Sequence, residues 1–386
     1  MKLVIAGGGT GGHLFPGLAV AEELRRRGGN EVVFVGTARG IEARAVPKQN
    51  FPLELIDVGG LKGGGVVGVA RGLLRVPRAI LQSRAILRRV RPDLVVGVGG
   101  YASGPLVLAA WLMGVPTAIL EQNSVPGFTN RVLGRLVRAV FAAFGEAAAY
   151  FPAHKVRLAG NPIRAAFVAA LGDGDAAPQG TDAALQSVDA AGPDAAMHKT
   201  KTLLVCGGSQ GAHAVNELVA AAMEHLAAAG RAPRIIHQTG AADRAAVAER
   251  YAKAGVAGEV REFIDDMASA YRAADLIVAR AGATTIAELT ALGRAALFIP
   301  LPTAADDHQT VNARVLERAG AARVLPQRGL VAEDLATAIS TLLEDDAGRA
   351  KMAAAARALG RPHAASEIAD QLAVLAGTRS ATSSPS

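Results

Sequence analysis

Two stretches far apart in the chain share one design: KLVIAGGGTGGH, starting at Lys2, and KTLLVCGGSQGAH, starting at Lys201. In each, a short apolar run that reads as a buried strand breaks into glycines and passes at once into an amphipathic helical pattern. Such a turn aims free backbone N–H groups and the positive end of a helix dipole at one point, which suits a phosphate or a closely approaching sugar. Apolar runs alternate with helical patterns after both turns. Alternation of this kind argues for parallel sheets with right-handed crossovers. The expected fold class is therefore α/β, with two Rossmann-like domains facing each other across a cleft.

The length of 386 residues supports two domains, each able to bury its own core. Half of the residues are hydrophobic and only 4% aromatic, as in sheets covered by helices on both faces. The expected divisions are an N-terminal domain over residues 1–165, a flexible low-complexity insertion over 166–201 and a C-terminal domain over 202–362. A helix over 363–377 is expected to pack back on the N-terminal domain, and 378–386 to form a disordered tail. The one cysteine, Cys206, excludes an internal disulfide framework. The apolar stretch of 104–120 is divided by Pro105, Gly114 and Pro116 into a helix and a strand, so no membrane span is expected. The opening apolar run is too short for a signal peptide.

Gly7, Gly9 and Gly12 satisfy the G-x-G-x-x-G pattern of a dinucleotide-binding dehydrogenase. That fold places an acidic residue at the end of the second strand to hold the ribose. Here the strand ends in Gly36, Thr37 and Ala38, and only Arg39 would suit a 2′-phosphate. The second glycine turn, GGSQGA, has no place in that reading, which is set aside.

The motifs GGTGGH (8–13), GGYASGP (99–105), EQN (121–123), TNR (129–131), GNPIR (160–164), GGSQGA (207–212), FIDDM (263–267), RAGATTIAE (280–288) and DDHQTVNA (306–313) occur in the order and approximate spacing of the MurG family. The chain resembles that family over nearly its whole length. The resemblance implies a two-domain GT-B glycosyltransferase of peptidoglycan synthesis that moves N-acetylglucosamine from UDP-N-acetylglucosamine (UDP-GlcNAc) to the 4-hydroxyl of the muramyl sugar of lipid I, forming lipid II with inversion. Donor binding falls mainly to the C-terminal domain and the lipid-linked acceptor to the N-terminal one. The insertion after Gly172 is longer than the family usually carries. Other classes sharing a UDP-sugar site are a diacylglycerol glucosyltransferase, a UDP-GlcNAc epimerase and a binding-only nucleotide-sugar protein.

Inverting transfer needs a base at the acceptor hydroxyl, stabilisation of the departing diphosphate and in-line positioning. His13 stands where the first helix begins, and a helix N-terminus disfavours imidazolium, so a neutral base is expected there. Glu121, at the end of the strand PTAIL, is the rival base, or else orients His13 or braces the EQN loop. The GGSQGA turn should offer backbone N–H groups and the Ser209 hydroxyl to the diphosphate.

For the donor, the resemblance implies contacts from Thr10, Gly11, Gly12, Asn123, Arg164, Ser209, Ile264, Ala283, Thr284, Thr285, Ile286, Ala287, Glu288 and Gln309. Glu288 would accept hydrogen bonds from the ribose diol, and the Ile264 backbone would meet uracil. Tyr101, Asn130, Gln210 and His308 are implied on the acceptor side or as further contacts. The Asp pairs beginning at Asp265 and Asp306 lack a third ligand of convincing spacing, so neither a catalytic metal nor another cofactor is expected.

The formal charge of +7 points to an anionic partner. Residues 58–92 hold no carboxylate, while Lys62, Arg71, Arg75, Arg78, Arg84, Arg88, Arg89 and Arg91 stand among Val, Leu and Ile. This pattern suits an anionic inner-leaflet membrane. Without stacking aromatics, nucleic acid is not expected as a partner. The expected location is peripheral, on the cytoplasmic face of the bacterial inner membrane.

Overall fold

A computed structural model of the chain describes residues 1–58, 65–172, 201–208 and 211–377, with the backbone alone described for 65–76. The N-terminal sheet is built from β1 (Lys2–Ala6), β2 (Glu31–Gly36), β3 (Leu53–Leu55), β4 (Leu94–Gly97), β5 (Thr117–Glu121), β6 (Ala139–Ala142) and β7 (Val156–Leu158). Its order is β3-β2-β1-β4-β5-β6-β7 and all of its pairs are parallel. The helices between these strands are α1 (Gly11–Arg27), α2 (Glu42–Lys48), α3 (Gly65–Val90), α4 (Ser103–Leu112) and α5 (Phe128–Leu133). The apolar stretch of 104–120 thus divides into α4 and β5. No helix among the described residues is long and apolar enough to cross a membrane.

The chain enters the second domain through α6 (Ala165–Gly172). Its sheet has β8 (Thr202–Cys206), β9 (Arg234–Gln238), β10 (Gly258–Arg261), β11 (Leu276–Ala279), β12 (Ala296–Phe298) and β13 (Arg323–Val324), in the order β10-β9-β8-β11-β12-β13, again all parallel. Its helices are α7 (His213–Ala228), α8 (Arg244–Ala254), α9 (Met267–Ala273), α10 (Ala283–Leu292), α11 (His308–Arg318), α12 (Ala332–Glu344) and α13 (Asp346–Leu359), and α14 (Ala364–Leu375) follows them in the chain.

The period of two along each central strand explains the layers. Leu3 and Ile5 face one apolar cluster while Val4 and Ala6 face another. Leu204 and Cys206, against Leu203 and Val205, repeat the arrangement in the second domain. Strands buried on both faces must be apolar throughout, as these are. Each sheet reverses its strand order once, between β1 and β4 and between β8 and β11. At such a point neighbouring loops diverge to opposite faces and leave a crevice at the strands' carboxyl ends. Both glycine turns lie there.

One expectation needs correction. The insertion placed at 166–201 begins with helix, because α6 carries an apolar face: Phe167 is 1% exposed in the core of the C-terminal domain, its ring centroid 5.8 Å from that of Tyr271, with Val168 and Leu171 packed beside it. Residues 173–200 and the expected tail of 378–386 lie outside the described residues. Strand β3 spans only Leu53–Leu55 and β7 only Val156–Leu158.

The chain returns to the first domain through residues 360–363. Gly160, at φ +84°, leaves room for this second crossing, since a Cβ there would stand 2.6 Å from Arg361 Cβ. Helix α14 then lies on α1. Its Ile368, Ala369 and Leu372 complete the N-terminal core, and Arg27 bonds Asp370 at 2.5 Å and the Ser366 carbonyl at 2.9 Å.

Candidate active site

The N-terminal wall of the cleft is made by the loops after β1 and β4, which interlock. Gly8 N–H donates to Gly99 O at 3.4 Å, and a Cβ on Gly100 would stand 2.3 Å from Gly8 O. The buried Glu42 carboxylate accepts from Gly9 N–H at 2.7 Å and from the Thr37 N–H and hydroxyl, both at 2.9 Å. The first glycine turn therefore hands part of its donor capacity to an internal carboxylate rather than holding it for a phosphate. Gly8, Gly36 and Gly40 surround Glu42 so closely that a Cβ on any of them would fall within 2.3 Å of it.

His13, in the first turn of α1, packs against Gly99, where a Cβ would stand 2.6 Å from His13 Cδ2. Its Nδ1 pairs with Thr10 Oγ1 at 3.1 Å. Burial, and secondarily the charge of His308 in the other domain, hold its pKa down to about 4. The imidazole is thus neutral near pH 7, with burial as the leading cause. Thr10, expected on the donor, is here the partner of His13. It is exposed, as is Gly12, while Gly11 is half-buried.

Glu121 ends β5 and is 2% exposed. Its Oε1 accepts from Asn123 N–H at 3.0 Å and its Oε2 from Asn130 Nδ2 at 2.9 Å, while Asn130 also donates to Leu120 O. Asn130, expected on the acceptor side or as a further contact, is bonded to Glu121. Burial outweighs these bonds and raises the carboxyl to about 7. Among the described residues, Asn130 Oδ1 and Ser124 Oγ are buried without a protein partner, so the surroundings of Glu121 keep hydrogen-bonding capacity. Tyr101, at the mouth of the adjoining loop, is exposed.

The C-terminal wall centres on α10, whose N-terminus has no side-chain cap and no acidic residue in its first turn. Unpaired N–H groups and a positive dipole end at a strand's carboxyl edge suit a diphosphate. Thr284 Oγ1 is buried there without a partner, and Thr285 is half-buried. Ala283, Ile286 and Ala287 line a cavity of about 410 Å³ that reaches the two chain crossings at Asn161 and Arg361. One turn further along the helix, the Glu288 carboxylate, 4% exposed, takes both Arg164 Nε (3.2 Å) and a terminal Arg164 nitrogen (2.9 Å) on Oε1. The Arg164 guanidinium also lies 4.8 Å over the Phe167 ring. Burial raises Glu288 to about 7, against the pull of Arg164.

Gln238 bridges the nucleotide-type loops, donating to Gly208 O at 3.1 Å and accepting the Ile264 N–H at 2.9 Å. The N–H of Ile264, whose backbone is expected to meet uracil, is thus engaged within the protein. Ser209 and Gln210 lie outside the described residues.

Helix α11 runs between the walls. It opens from Asp306 and Asp307, both at left-handed φ (53° and 50°). His308 Nδ1 pairs with Ala305 O at 2.7 Å, and Gln309 Oε1 accepts Leu301 N–H at 3.0 Å. Asn312, fully buried, reaches the other domain: its Nδ2 donates to Asn123 Oδ1 at 3.2 Å and its Oδ1 accepts Ser124 N–H at 2.8 Å. Among the described residues no group of three or more His, Cys, Asp or Glu side chains is placed to hold a metal. Glu42, Gln238 and Asn312 were absent from the candidates read in the sequence. Only Asn312 carried a signal there, as the last polar residue of DDHQTVNA.

Comparison with known proteins accords with this geometry. Residues 3–142 match the glycosyltransferase family 28 N-terminal domain and residues 202–372 its C-terminal domain. A protein of Anaeromyxobacter sp. (strain Fw109-5), named UDP-N-acetylglucosamine–N-acetylmuramyl-(pentapeptide) pyrophosphoryl-undecaprenol N-acetylglucosamine transferase, is 52% identical over 98% of this chain and 94% of its own length. A Myxococcus xanthus protein of the same name is 52% identical over 96% of this chain and 92% of its own. The crystal structure of Acinetobacter baumannii MurG superposes with a TM-score of 0.76 at 34% identity, covering 96% of this chain and 98% of that one. The chain belongs to the MurG family. As a member of it, the chain has the two-domain GT-B fold. Staphylococcus aureus MnaA with UDP, at 16% identity and a TM-score of 0.70, shares the fold alone with this MurG-family chain.

Proposed function

We propose that this MurG-family chain transfers N-acetylglucosamine from UDP to the 4-hydroxyl of the muramyl sugar of lipid I, forming lipid II with inversion. The observation that carries the reading is the joint arrangement around α11: the Glu121 loop of one domain is bonded to the helix that also borders the loops of the other. A base on the acceptor side and an anion site on the donor side are what inverting transfer from a nucleotide sugar requires. The relatives at 52% identity carry the name of this transferase.

In this mechanism Glu121 removes the proton from the attacking hydroxyl. Its pKa of about 7 suits that task near neutrality, and Asn123 and Asn130 fix both of its oxygens. His13, at about 4, is a poor proton acceptor, and as a neutral ring held by Thr10 it offers one nitrogen to a sugar hydroxyl. As the bond to the diphosphate breaks, negative charge grows where the start of α10 and the glycine turn after β8 point, and their fixed dipoles stabilise it without reorganising. Glu288 holds the ribose diol, for which the Arg164 contact must yield. The Gln309 amide, steadied at Leu301, faces the donor sugar.

We place the enzyme peripherally, on the cytoplasmic face of the inner membrane. Leu81, Trp111, Leu112, Phe128 and Val132 are exposed apolar residues on α3, α4 and α5, and Arg78, Arg84 and Arg88 are exposed cations on α3. That mixture suits an anionic lipid surface carrying the acceptor.

The test is incubation with UDP-GlcNAc and a soluble lipid I analogue, measuring UDP release. Release that depends on the acceptor supports the proposal. Release with diacylglycerol instead, or epimerisation of the donor without an acceptor, would overturn it.

A further inference from the structure

An interdomain contact made only to hold two domains together is ordinarily polar and wet. The contact made by Asn312 differs, because both ends of one fully buried carboxamide are used, and both on a single loop. From there the hydrogen bonds continue without a break: Asn312 to Asn123 Oδ1 and Ser124 N, Asn123 N to Glu121 Oε1, and Glu121 Oε2 to Asn130 Nδ2. Three positions earlier on the same helix, and so on nearly the same face, Gln309 is bonded to the C-terminal loop at Leu301.

We propose that Asn312 is a positioning residue of the transfer reaction, setting the Glu121 carboxylate in register with the donor domain across the cleft. The inference rests on Glu121 being the base. Its physical basis is the planarity of the amide. A carboxamide that donates at one end and accepts at the other fixes the partner loop in distance and in orientation, whereas a hydroxyl or an aliphatic side chain fixes neither. A catalytic group must be held within roughly 0.5 Å of its productive place, and here the two substrates bind to different domains. Some element must transmit the position of one wall to the other, and the chain crossings at Gly160 and Arg361 are remote from Glu121 in sequence and bond to neither of its oxygens.

Asn312→Ala removes both bonds. Asn312→Asp keeps the volume and the acceptor for Ser124 N–H but loses the donor to Asn123, and it serves if the alanine variant does not fold. The full-length chain, each of these variants, Glu121→Gln and the double variants are assayed with UDP-GlcNAc and a soluble lipid I analogue for kcat and KM, and with UDP by calorimetry. On the native background Asn312→Ala should lower kcat by about 10- to 100-fold, in the range expected for a misplaced catalytic group, with UDP affinity within about twofold. On the Glu121→Gln background the same change should alter kcat by less than about twofold, because residues that act as a unit are not additive. Equal losses on both backgrounds, a fall in UDP affinity matching the fall in kcat, or unchanged kcat in Asn312→Ala would each overturn the positioning role. Near-normal kcat in Glu121→Gln alone would instead show that Glu121 is not the base, removing the ground on which the inference stands.

Discussion

Arg164, on the first crossing between the domains, donates two hydrogen bonds, at 3.2 and 2.9 Å, to one oxygen of Glu288 on α10. Two side chains that the family resemblance assigns separately to the donor are thus bonded to each other. If Glu288 holds the ribose diol, as proposed, the diol would exchange with this guanidinium and free it for the diphosphate, so that binding the nucleotide and releasing the crossing would be one event. Glu288→Ala should weaken UDP binding by about 10- to 100-fold, since a hydrogen bond to a charged group contributes about 1.5–3 kcal/mol. Calorimetry with UDP measures this, and unchanged affinity would refute the ribose role.

Removing the arginine has a different signature. Arg164→Ala leaves a buried carboxyl whose pKa, already about 7, loses the neighbour that lowers it. Because the Arg164 side chain is 38% exposed, the loss should be nearer that of a screened pair than of a fully buried one, about 1–2 kcal/mol. Urea denaturation at pH 7.5 would detect it, and the deficit should shrink below about pH 5, where Glu288 is neutral.

The pH dependence of transfer separates the two candidate bases. Burial raises the folded-state pKa of Glu121 from 4.5 to about 7 and lowers that of His13 from 6.5 to about 4. If Glu121 takes the proton, kcat/KM for the acceptor should rise through an acid limb near pH 7. A limb near pH 4 would assign the base to His13. Stability moves in opposite directions for the two groups. Between about pH 4.5 and 7 the folded chain binds more protons at Glu121 than the unfolded chain, so this contribution is fully present below pH 4.5 and is lost as pH rises through about 7. His13 binds fewer protons when folded, and its contribution, complete above pH 6.5, is lost as pH falls through about 4.

The sequence carried the architecture because its strongest signals are local. A strand that breaks into glycines and reopens as a helix does so for reasons contained within a dozen residues, and this happens at both β1 and β8. His13 and Glu121 were legible as candidates because one sits at the start of a helix and the other at the end of a strand, whereas Glu288, in the middle of α10, was legible only through the family resemblance of RAGATTIAE. What was not legible depends on approach between distant segments. Glu42 reads as an ordinary glutamate early in a helix until the loop of Gly8 folds over it. Asn130 reads as a polar helix residue until β5 places Glu121 within 2.9 Å. Phe167 stands in an alanine-rich stretch next to low-complexity sequence, and only the C-terminal core gives its ring a partner.

Glu42 itself provides a test confined to the N-terminal wall. Glu42→Ala leaves the N–H groups of Gly9 and Thr37 without their acceptor, at about 1–3 kcal/mol each. The variant should be destabilised by several kcal/mol in urea and should turn over slowly, because the loop carrying Thr10 and His13 is released. UDP affinity should fall less than turnover, since the family resemblance assigns donor binding mainly to the other domain. A parallel loss of UDP binding would mean that the two walls do not act independently.

On α3, Leu81, Arg84 and Arg88 stand at spacings of three and four, so one apolar and two cationic side chains share a face. All three are exposed, Leu81 at 66%, whereas Ile86 and Leu87 point into the core. Arg89, by contrast, is paired with Glu54 at 2.7 Å and contributes less free charge. Each cation near an anionic surface contributes about 1 kcal/mol, or about fivefold in partitioning. Converting Arg84 and Arg88 to glutamate should therefore reduce sedimentation with phosphatidylglycerol vesicles by at least about 25-fold at low salt, with little effect on turnover of a soluble acceptor. The native protein should lose binding as salt rises, because surface charge is screened over about 10 Å at 0.1 M. Leu81→Ser should weaken binding at every salt concentration, since its contribution is burial rather than charge. Vesicle binding that the arginine reversals leave intact would move the membrane contact away from α3, towards the exposed Trp111 and Phe128 of α4 and α5.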